Sequence, residues 1–334
     1  MIVTGDLHFT DRERDEYRWQ IIPWILDQLE SKGHKELAIL GDLTDAKDGH
    51  SAVLVNRIVS SLVLLTEAGI QVVIVKGNHD YVDPELPFFL FLKHIPGIKF
   101  ISSPEVYEFD VGEALCLPHD RNPETAWKNL EINTDMVFCH QTFDGAMAGQ
   151  DYALKSSLSP TYFSNRDYDG IVISGDIHKP QEIGDITYVG TPYPVSFGET
   201  HKPRVFSILP HGEEILIKDL NPPSIRKLTV TIRDVSELPK LRSGDQIKVK
   251  VQLAREEFAD WEQHRKDVVA ACEASGVAIR SLELADTVDR KTVPTEGRPT
   301  AILHEDLLEE FCASRQLSDG EHQVAQDILD ELQV

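Results

Sequence analysis

The chain has 334 residues, of which 41% are hydrophobic and 27% are charged. This composition is typical of a globular protein, and the length exceeds what one hydrophobic core usually organises, so we expect two or three domains. No run of about 18 apolar residues occurs, which predicts that no helix crosses a membrane and that no membrane is bound. The net charge of −23 repels nucleic-acid phosphates. A nucleic-acid enzyme of this charge therefore needs bound cations, local basic patches or a basic partner.

The cysteines are scattered along the chain, at Cys116, Cys139, Cys272 and Cys312. Their spacing is too wide for a disulfide framework or a zinc knuckle. No charged and apolar leader precedes the apparent strand at residues 2–3, so we expect no signal peptide. These features predict buried, reduced thiols and a cytoplasmic protein, in the host cytoplasm if a phage encodes it.

Short apolar runs alternate with amphipathic stretches from residue 1 to about residue 220. The runs that suit strands buried on both faces are residues 2–3, 37–40, 72–75, 136–138 and 171–174. Residues 15–30 and 52–68 have apolar side chains at helical spacing. Shorter strands follow at residues 187–189, 205–209 and 214–217. The pattern predicts an α/β fold, a two-sheet sandwich flanked by helices.

The rest of the chain predicts two smaller parts. Asn221-Pro222-Pro223 interrupts helix and strand alike, and the pattern beyond it is strand, strand, helix, strand. We therefore predict a first domain at residues 1–221 and a small α+β cap domain at residues 222–290. Residues 300–334 predict two short amphipathic C-terminal helices, which bury too little surface to be stable alone and must dock onto something.

Five segments share one arrangement, an apolar strand followed at once by side chains that bind metals. They are Asp6-Leu7-His8, Asp42-Leu43-Thr44-Asp45, Asn78-His79-Asp80, His140 and Asp176-Ile177-His178, and glycine precedes the ligand group in four of them. Loops at strand ends converge on one rim of an α/β sheet, and glycine allows a sharp exit from the strand. A single Gly-Asp after a strand is usually a plain turn, but five such segments in this order predict a metal site.

The ligand types suit two divalent cations. Carboxylates can bridge cations, and a mixed set of oxygen and imidazole ligands favours manganese, iron or zinc over calcium. Two cations about 3.5–4 Å apart can clamp a phosphate, activate a water and stabilise the leaving oxygen. The sequence therefore predicts a two-metal phosphoesterase.

The order of these motifs resembles the calcineurin-like metallophosphoesterases. Within that family, Gly175-Asp176-Ile177-His178-Lys179-Pro180-Gln181 and the stretch from Tyr188 to Glu199 resemble the SbcD-type nuclease subunit of a double-strand-break repair complex. The resemblance implies the metallophosphoesterase fold, DNA as the substrate and an SMC-family ATPase of the SbcC type as the partner. It also implies docking of that ATPase on the C-terminal helices, and a homodimer within a heterotetramer.

The resemblance also implies a role for each motif residue. Asp6, His8 and His178 would hold one metal, Asn78, His140 and Asp176 the other, and Asp42 would bridge them. His79 would contact the scissile phosphate and act as general acid, and Asp45 would orient His79.

Asp176 departs from the family pattern, which usually has histidine at this position. A carboxylate there can ligate directly and shift the preference towards Mn²⁺, with Mg²⁺ as the second choice. Alternatively, Asp176 contacts a ligand and the second metal is held weakly.

Two rival functions stay open at this level. The acidic charge favours a phosphoesterase for small phosphodiesters or phosphomonoesters. A non-catalytic, metal-stabilised scaffold that regulates an ATPase is the other. Outside the motifs, His119 could border the site, and Lys179 and Arg204 could touch DNA phosphates, although solvated or packed side chains are the default.

Overall fold

A six-stranded mixed sheet carries the first three motifs in the computed structural model, which describes residues 1–149, 152–211 and 214–286. In sheet order its strands are β12 (Glu214–Leu220), β11 (Val205–His211), β1 (Ile2–Gly5), β2 (Glu36–Leu40), β3 (Gln71–Val75) and β4 (Ile98–Ile101). Strands β1 to β4 are parallel, β11 runs antiparallel to β1, and β12 runs antiparallel to β11. The carboxyl ends of β1, β2 and β3 therefore meet at one edge.

A second six-stranded mixed sheet carries the other two motifs. In sheet order its strands are β5 (Glu105–Phe109), β6 (Gly112–Leu117), β7 (Met136–His140), β8 (Ile171–Gly175), β10 (Ile186–Tyr188) and β9 (Gln181–Ile183). Strands β6, β7, β8 and β10 are parallel, with antiparallel β5 and β9 at the two edges. Strand β7 packs against β2 and β3 of the first sheet, and β8 packs against β1. The loops after β7 and β8 therefore lie close to those after the first three strands.

Strand alternation sorts side chains into separate layers. Ile39 of β2 packs with α1 (Ile21–Lys32) and α2 (Ala52–Glu67) on the outer face of the first sheet. Its neighbour Leu40 belongs instead to the core between the two sheets, with Phe138 of β7. Cys139 packs with the aromatic layer on the outer face of the second sheet. This architecture confirms the predicted α/β two-sheet sandwich flanked by helices.

Two local predictions differ from the structure. The predicted helix at residues 15–30 is a 3-10 helix at Glu13–Gln20 followed by α1, because Pro23 has no amide hydrogen and fits only the first turn of an α-helix. Strands β4, β5, β6 and β9 were not predicted. Edge strands β5 and β9 are half exposed, so they lack the continuous apolar runs of buried strands.

A third sheet follows the two prolines. Its strands are β13 (Lys227–Ile232), β14 (Gln246–Leu253) and β15 (Ala278–Asp286), and α4 (Trp261–Ala274) packs on its apolar face. The remaining short helices are 3-10 turns at Phe88–His94, Ser164–Arg166, Val235–Glu237 and Arg255–Asp260, and α3 (Pro123–Ala126). Met1–Ala285 form one compact unit, so the boundary at residue 221 stays a prediction. The predicted C-terminal helices lie outside the described residues.

The described cysteines Cys116, Cys139 and Cys272 are buried free thiols, as predicted, and Cys312 lies outside the described residues. Within residues 1–149, 152–211 and 214–286, no helix is both long and apolar enough to span a membrane.

Candidate metal centre

The backbone is strained where the motif side chains leave their strands. Asp6, His8, Asp42 and Asp176 all have positive φ, at 54°, 43°, 55° and 80°. Non-glycine residues seldom adopt this left-handed region, which costs about 1–3 kcal/mol per residue and recurs at functional sites. Asp6, His8 and Asp42 are buried at these turns, and Asp176 is half-buried.

Two glycines make room for the converging loops. A Cβ on Gly41 would lie 2.1 Å from Nδ1 of His140, and one on Gly77 would lie 2.3 Å from Oδ1 of Asp42. Only glycine therefore fits beneath the site at these two positions. The sequence predicted these glycines because the chain makes a sharp exit from each strand. The structure adds a second reason, which is that the predicted ligands lie directly against both glycines.

The first predicted ligand set comes together at the ends of β1 and β8. Atom Nε2 of His178 lies 3.0 Å from Nε2 of His8, and both residues have a ligand atom within 4.8 Å of one on Asp6. Nδ1 of His178 donates a hydrogen bond to Glu199 Oε1 at 2.7 Å, which turns the other ring nitrogen into the cluster. This hydrogen bond fixes the tautomer expected of a metal ligand.

The second set surrounds His140. Its Nδ1 donates to the main-chain carbonyl of Leu40 at 2.7 Å, which leaves Nε2 facing the cluster. Around Nε2 lie Asn78 Oδ1 at 3.1 Å, Asp42 Oδ1 at 3.4 Å and Asp176 Oδ1 at 3.6 Å. Three oxygens from three loops therefore point at one imidazole nitrogen.

Asp42 lies between the two sets. Its Oδ1 faces His140, and its Oδ2 lies 3.6 Å from Nε2 of His8. Asp6 is also central, because its carboxylate has an oxygen within 4.8 Å of a ring nitrogen of His178 and of His140. All seven predicted ligands are thus brought together, and their division between two metals stays a prediction.

The electrostatics of the cluster fit divalent cations. Asp6 is fully buried, and its Oδ2 has no hydrogen-bond partner among the described residues. Burial raises the pKa of Asp6 to about 7 despite His140 nearby. Burial lowers the pKa of His140, but Asp42, Asp6 and Asp176 more than compensate and raise it to about 9. Bare carboxylates packed this closely need extra positive charge, which a bound cation supplies.

His79 lies beside the first set, with its ring centroid 5.1 Å from that of His8. Its amide donates to Asp42 Oδ1 at 2.8 Å, and its Nδ1 donates to the main-chain carbonyl of Asp45 at 2.6 Å. A carbonyl can only accept, so Nδ1 carries the proton and Nε2 is left for a substrate. Asp45 does contact His79, and the contact is made by its main-chain carbonyl.

The Asp45 carboxylate instead faces His8 and two arginines. It lies 3.3 Å from Nδ1 of His8 and 3.5 Å from the Arg18 guanidinium, and it also pairs with Arg12. Burial raises the pKa of Asp45, but His8 and Arg18 outweigh burial and lower it to about 2. Asp45 therefore stays ionised beside a predicted metal ligand.

Several supporting residues were not predicted. Glu199 fixes His178, and Thr142 donates to the Asp176 carboxylate. Asp80, fully buried, accepts the amides of Asp42, Leu43 and Gly77. Asp80 belongs to the Gly-Asn-His-Asp motif, so the sequence could have indicated a role for it. No sequence motif marks Thr142.

The structure also describes the three residues outside the motifs that the sequence suggested for the border of the site or for DNA contacts. His119 does border the site, with its ring centroid 6.2 Å from that of His140 and its Nδ1 2.9 Å from the Tyr81 hydroxyl. Arg204 donates to the main-chain carbonyls of Val189 and Tyr188, and Lys179 donates to that of Gly149. Both basic side chains therefore have hydrogen-bond partners within the protein, and neither requires a DNA phosphate.

Comparison with models of protein families agrees with this geometry. Residues 1–180 match the model of the family described as calcineurin-like phosphoesterase. No curated protein matches the chain. Among solved structures, a dimetal phosphatase from Danio rerio is similar over 65% of this chain and 94% of that chain, with 14% identity and a TM-score of 0.41. The nuclease MPE from Pseudomonas putida is similar over 61% of this chain and 82% of that chain, with 13% identity and a TM-score of 0.33. The family match spans more than half of the sequence, so the chain belongs to the calcineurin-like phosphoesterase family and is a metal-dependent phosphoester hydrolase.

Proposed function

We propose that the protein is a DNA nuclease, an SbcD-like subunit that hydrolyses phosphodiester bonds with two Mn²⁺ or Mg²⁺ ions. The observation that carries the proposal is a basic groove beside the candidate metal centre. The groove has a volume of about 1070 Å³, and Asp45, which contacts the predicted ligand His8, forms part of its wall.

The groove reverses the charge of the protein locally. Its basic lining residues are Arg12, Arg14, Arg18, Lys227, Lys248, Lys250 and Arg280. Only Asp15, Asp45 and Glu283 oppose these seven cations, although the whole chain has a net charge of −23. A local basic patch is what a strongly acidic enzyme needs to attract a polyanion.

The groove also favours DNA over a small phosphoester. Small-molecule pockets are mostly apolar and span about 300–1,000 Å³, whereas charged side chains form much of the lining of this groove. A phosphomonoester would use one or two of these cations, whereas a DNA strand offers one phosphate per nucleotide. Lys248 and Lys250 alternate along β14 with the buried Val249 and Val251, so both lysines point away from the core of the third sheet. The groove would thus add phosphate contacts on the third sheet to those at the candidate metal centre.

The catalytic roles follow from the contacts at the strand ends. Asp6, His8, Asp42, Asn78, His140, Asp176 and His178 would hold the cations. When bound, the cations supply charge neutralisation at the phosphate and lower the pKa of the attacking water. His79 is held by the Asp45 carbonyl with Nε2 directed away, and its protonated form would donate from Nε2 to the departing oxygen.

The partner remains a proposal from the sequence pattern. We propose that residues 300–334 form amphipathic helices that dock onto an SbcC-like ATPase, within a heterotetramer that contains two copies of this chain.

Turnover of plasmid and oligonucleotide DNA with Mn²⁺, compared with that of a nitrophenyl phosphodiester, tests the nuclease proposal. A Lys248→Glu/Lys250→Glu variant should lose DNA affinity, and its salt slope should shrink by about two, because each phosphate contact contributes about 0.9. The exposed Lys218→Glu, on β12 outside the groove, is the matched control and should behave like the parent.

Two results would reject the nuclease assignment. Equal effects of the groove and control variants on DNA turnover would remove the role of the groove. Efficient turnover of the nitrophenyl diester without DNA cleavage would favour a small-molecule phosphoesterase. A protein that binds an ATPase but hydrolyses neither substrate with any divalent cation would be the non-catalytic scaffold.

A further inference from the structure

Phe197 lies at the boundary between the basic groove and the candidate metal centre. It lines the groove, and it also lines a cavity of about 500 Å³ whose wall includes the predicted ligands Asp176 and His178. A DNA strand that runs from the groove to the candidate metal centre would pass this side chain.

The loop that carries Phe197 is anchored on both sides. Lys227 of β13 donates to the carbonyl of Val195 at 2.7 Å. The Val195 amide donates to Glu199 Oε2 at 2.7 Å, and Oε1 of the same carboxylate accepts from His178. The backbone on either side of Phe197 is therefore tied to the third sheet and to a predicted metal ligand.

The ring of Phe197 is not used by the hydrophobic core. It is half-buried, and it belongs to none of the apolar clusters formed by the described residues. Two ammonium groups flank the ring instead, that of Lys248 at 4.7 Å and that of Lys227 at 5.6 Å from its centroid. Core packing alone does not explain an aromatic side chain in this position.

An aromatic ring surrounded by cations in a groove is the arrangement that binds single-stranded nucleic acid. A base stacks on the ring, and neighbouring cations pair with the adjacent phosphates. Lys248 is exposed and can leave the ring for a phosphate, whereas Lys227 is buried and fixed by Val195. A paired base inside a duplex hides both faces, so only an unpaired base can use the ring.

We propose that Phe197 is a stacking platform for an unpaired DNA base, with Lys248 as the clamp for the adjacent phosphate. This inference rests on the proposed nuclease function and specifies its substrate as a single strand or a frayed duplex end. Phe197 thereby positions the strand, and it takes no part in the transfer of protons.

The test compares DNA binding by the full chain and its Phe197→Leu, Phe197→Trp and Phe258→Leu variants. The probes are a single-stranded oligonucleotide and a blunt duplex of the same sequence. Phe258 is also a partly exposed phenylalanine, but it lies outside the groove lining and serves as the matched control. Thermal unfolding of each variant verifies that the fold is kept.

Phe197→Leu should weaken single-strand binding by about 5- to 150-fold, the ratio that corresponds to a stacking free energy of about 1–3 kcal/mol per base. Blunt-duplex binding should change much less. Phe197→Trp should restore single-strand affinity, and its indole fluorescence should be quenched by the oligonucleotide. Phe258→Leu should match the parent.

The failures of the two proposals are distinguishable. If the parent binds and cleaves DNA while Phe197→Leu keeps its single-strand affinity, the platform is wrong and the nuclease proposal stands. Equal weakening on single strand and duplex would also overturn the platform. If the parent binds neither probe, both proposals fall.

Discussion

The Nε2 atoms of His8 and His178 lie 3.0 Å apart, although 170 positions separate the two residues in the chain. Two imidazole lone pairs cannot face each other at this distance without a proton or a cation between the rings. Because Glu199 accepts from Nδ1 of His178, the facing nitrogen of that ring is the one available for a metal.

Glu199→Gln should therefore weaken metal binding. Loss of the carboxylate behind a ligating histidine typically lowers metal affinity about 10- to 100-fold. Titration of Mn²⁺ into the metal-free protein by calorimetry measures the change. Glu182→Gln, at an exposed position on β9, is the matched control and should bind Mn²⁺ like the parent. Unchanged affinity in the Glu199 variant would show that His178 is not held for a metal by this contact.

His79→Ala should keep the bound metals and lose cleavage. A positioned general acid contributes about 10²- to 10⁴-fold to the rate. His79 belongs to neither of the candidate metal-ligand groups found among the described residues, so its loss should spare the metals. Elemental analysis and cleavage of a DNA substrate in Mn²⁺ measure the two effects separately. Equal rates for variant and parent would remove the general-acid role.

Asp45→Asn should behave differently from His79→Ala. The contact with His79 comes from the main-chain carbonyl and survives the substitution, whereas the contact of the carboxylate with His8 at 3.3 Å loses its charge. We expect a smaller rate loss than in His79→Ala at saturating Mn²⁺, together with a higher Mn²⁺ concentration for half-maximal rate. A rate loss as large as that of His79→Ala at every Mn²⁺ concentration would assign the orientation of His79 to the carboxylate.

Asp80→Ala should destabilise the fold. The Asp80 carboxylate is fully buried and accepts three amides, those of Asp42 and Leu43 at 3.0 Å and that of Gly77 at 2.7 Å. Each buried amide left without a partner costs about 1–3 kcal/mol, so the free energy of unfolding should fall by at least about 3 kcal/mol. Urea unfolding measures it, with exposed Asp27→Ala as the control. A loss as small as that of the control would mean that water replaces the carboxylate.

Acidification should destabilise the protein through His34. Burial lowers the pKa of His34 from 6.5 to about 4 in the folded chain, where its Nε2 lies 2.9 Å from the Ser207 hydroxyl. The unfolded chain therefore takes up this proton first, and the free energy of unfolding falls as the pH drops from about 6.5 towards about 4. Between pH 7.5 and 5 the His34 contribution amounts to about 2 kcal/mol.

His34→Gln isolates that contribution, because glutamine keeps a polar group near Ser207 but does not titrate. Urea unfolding at pH 7.5 and pH 5 should show a smaller stability loss in the variant than in the parent. Identical losses would mean that His34 is already protonated in the folded chain at pH 5.

The motif residues themselves could be read from the sequence because ligand chemistry follows buried strands at fixed points. Asp6, Asp42 and Asn78 each come after an apolar run and a glycine, and parallel strands end at one edge of a sheet. The helix at residues 15–30 and the edge strands were less predictable. Pro23 restricts where the α-helix begins, and β5 and β9 lie at sheet edges where a continuous apolar run is not required.

By itself, the sequence determined which side chains gather and in which order, since local hydrophobic patterning sets the strands and the strands set the loops. Only the tertiary structure decided that Asp45 holds His79 through its backbone while its carboxylate faces His8. It also decided that Lys248, on a strand of the third sheet, lies against Phe197 beside the candidate metal centre. Contacts between residues so far apart in the chain depend on how the sheets pack and on the shape of the loops, which local patterning does not encode.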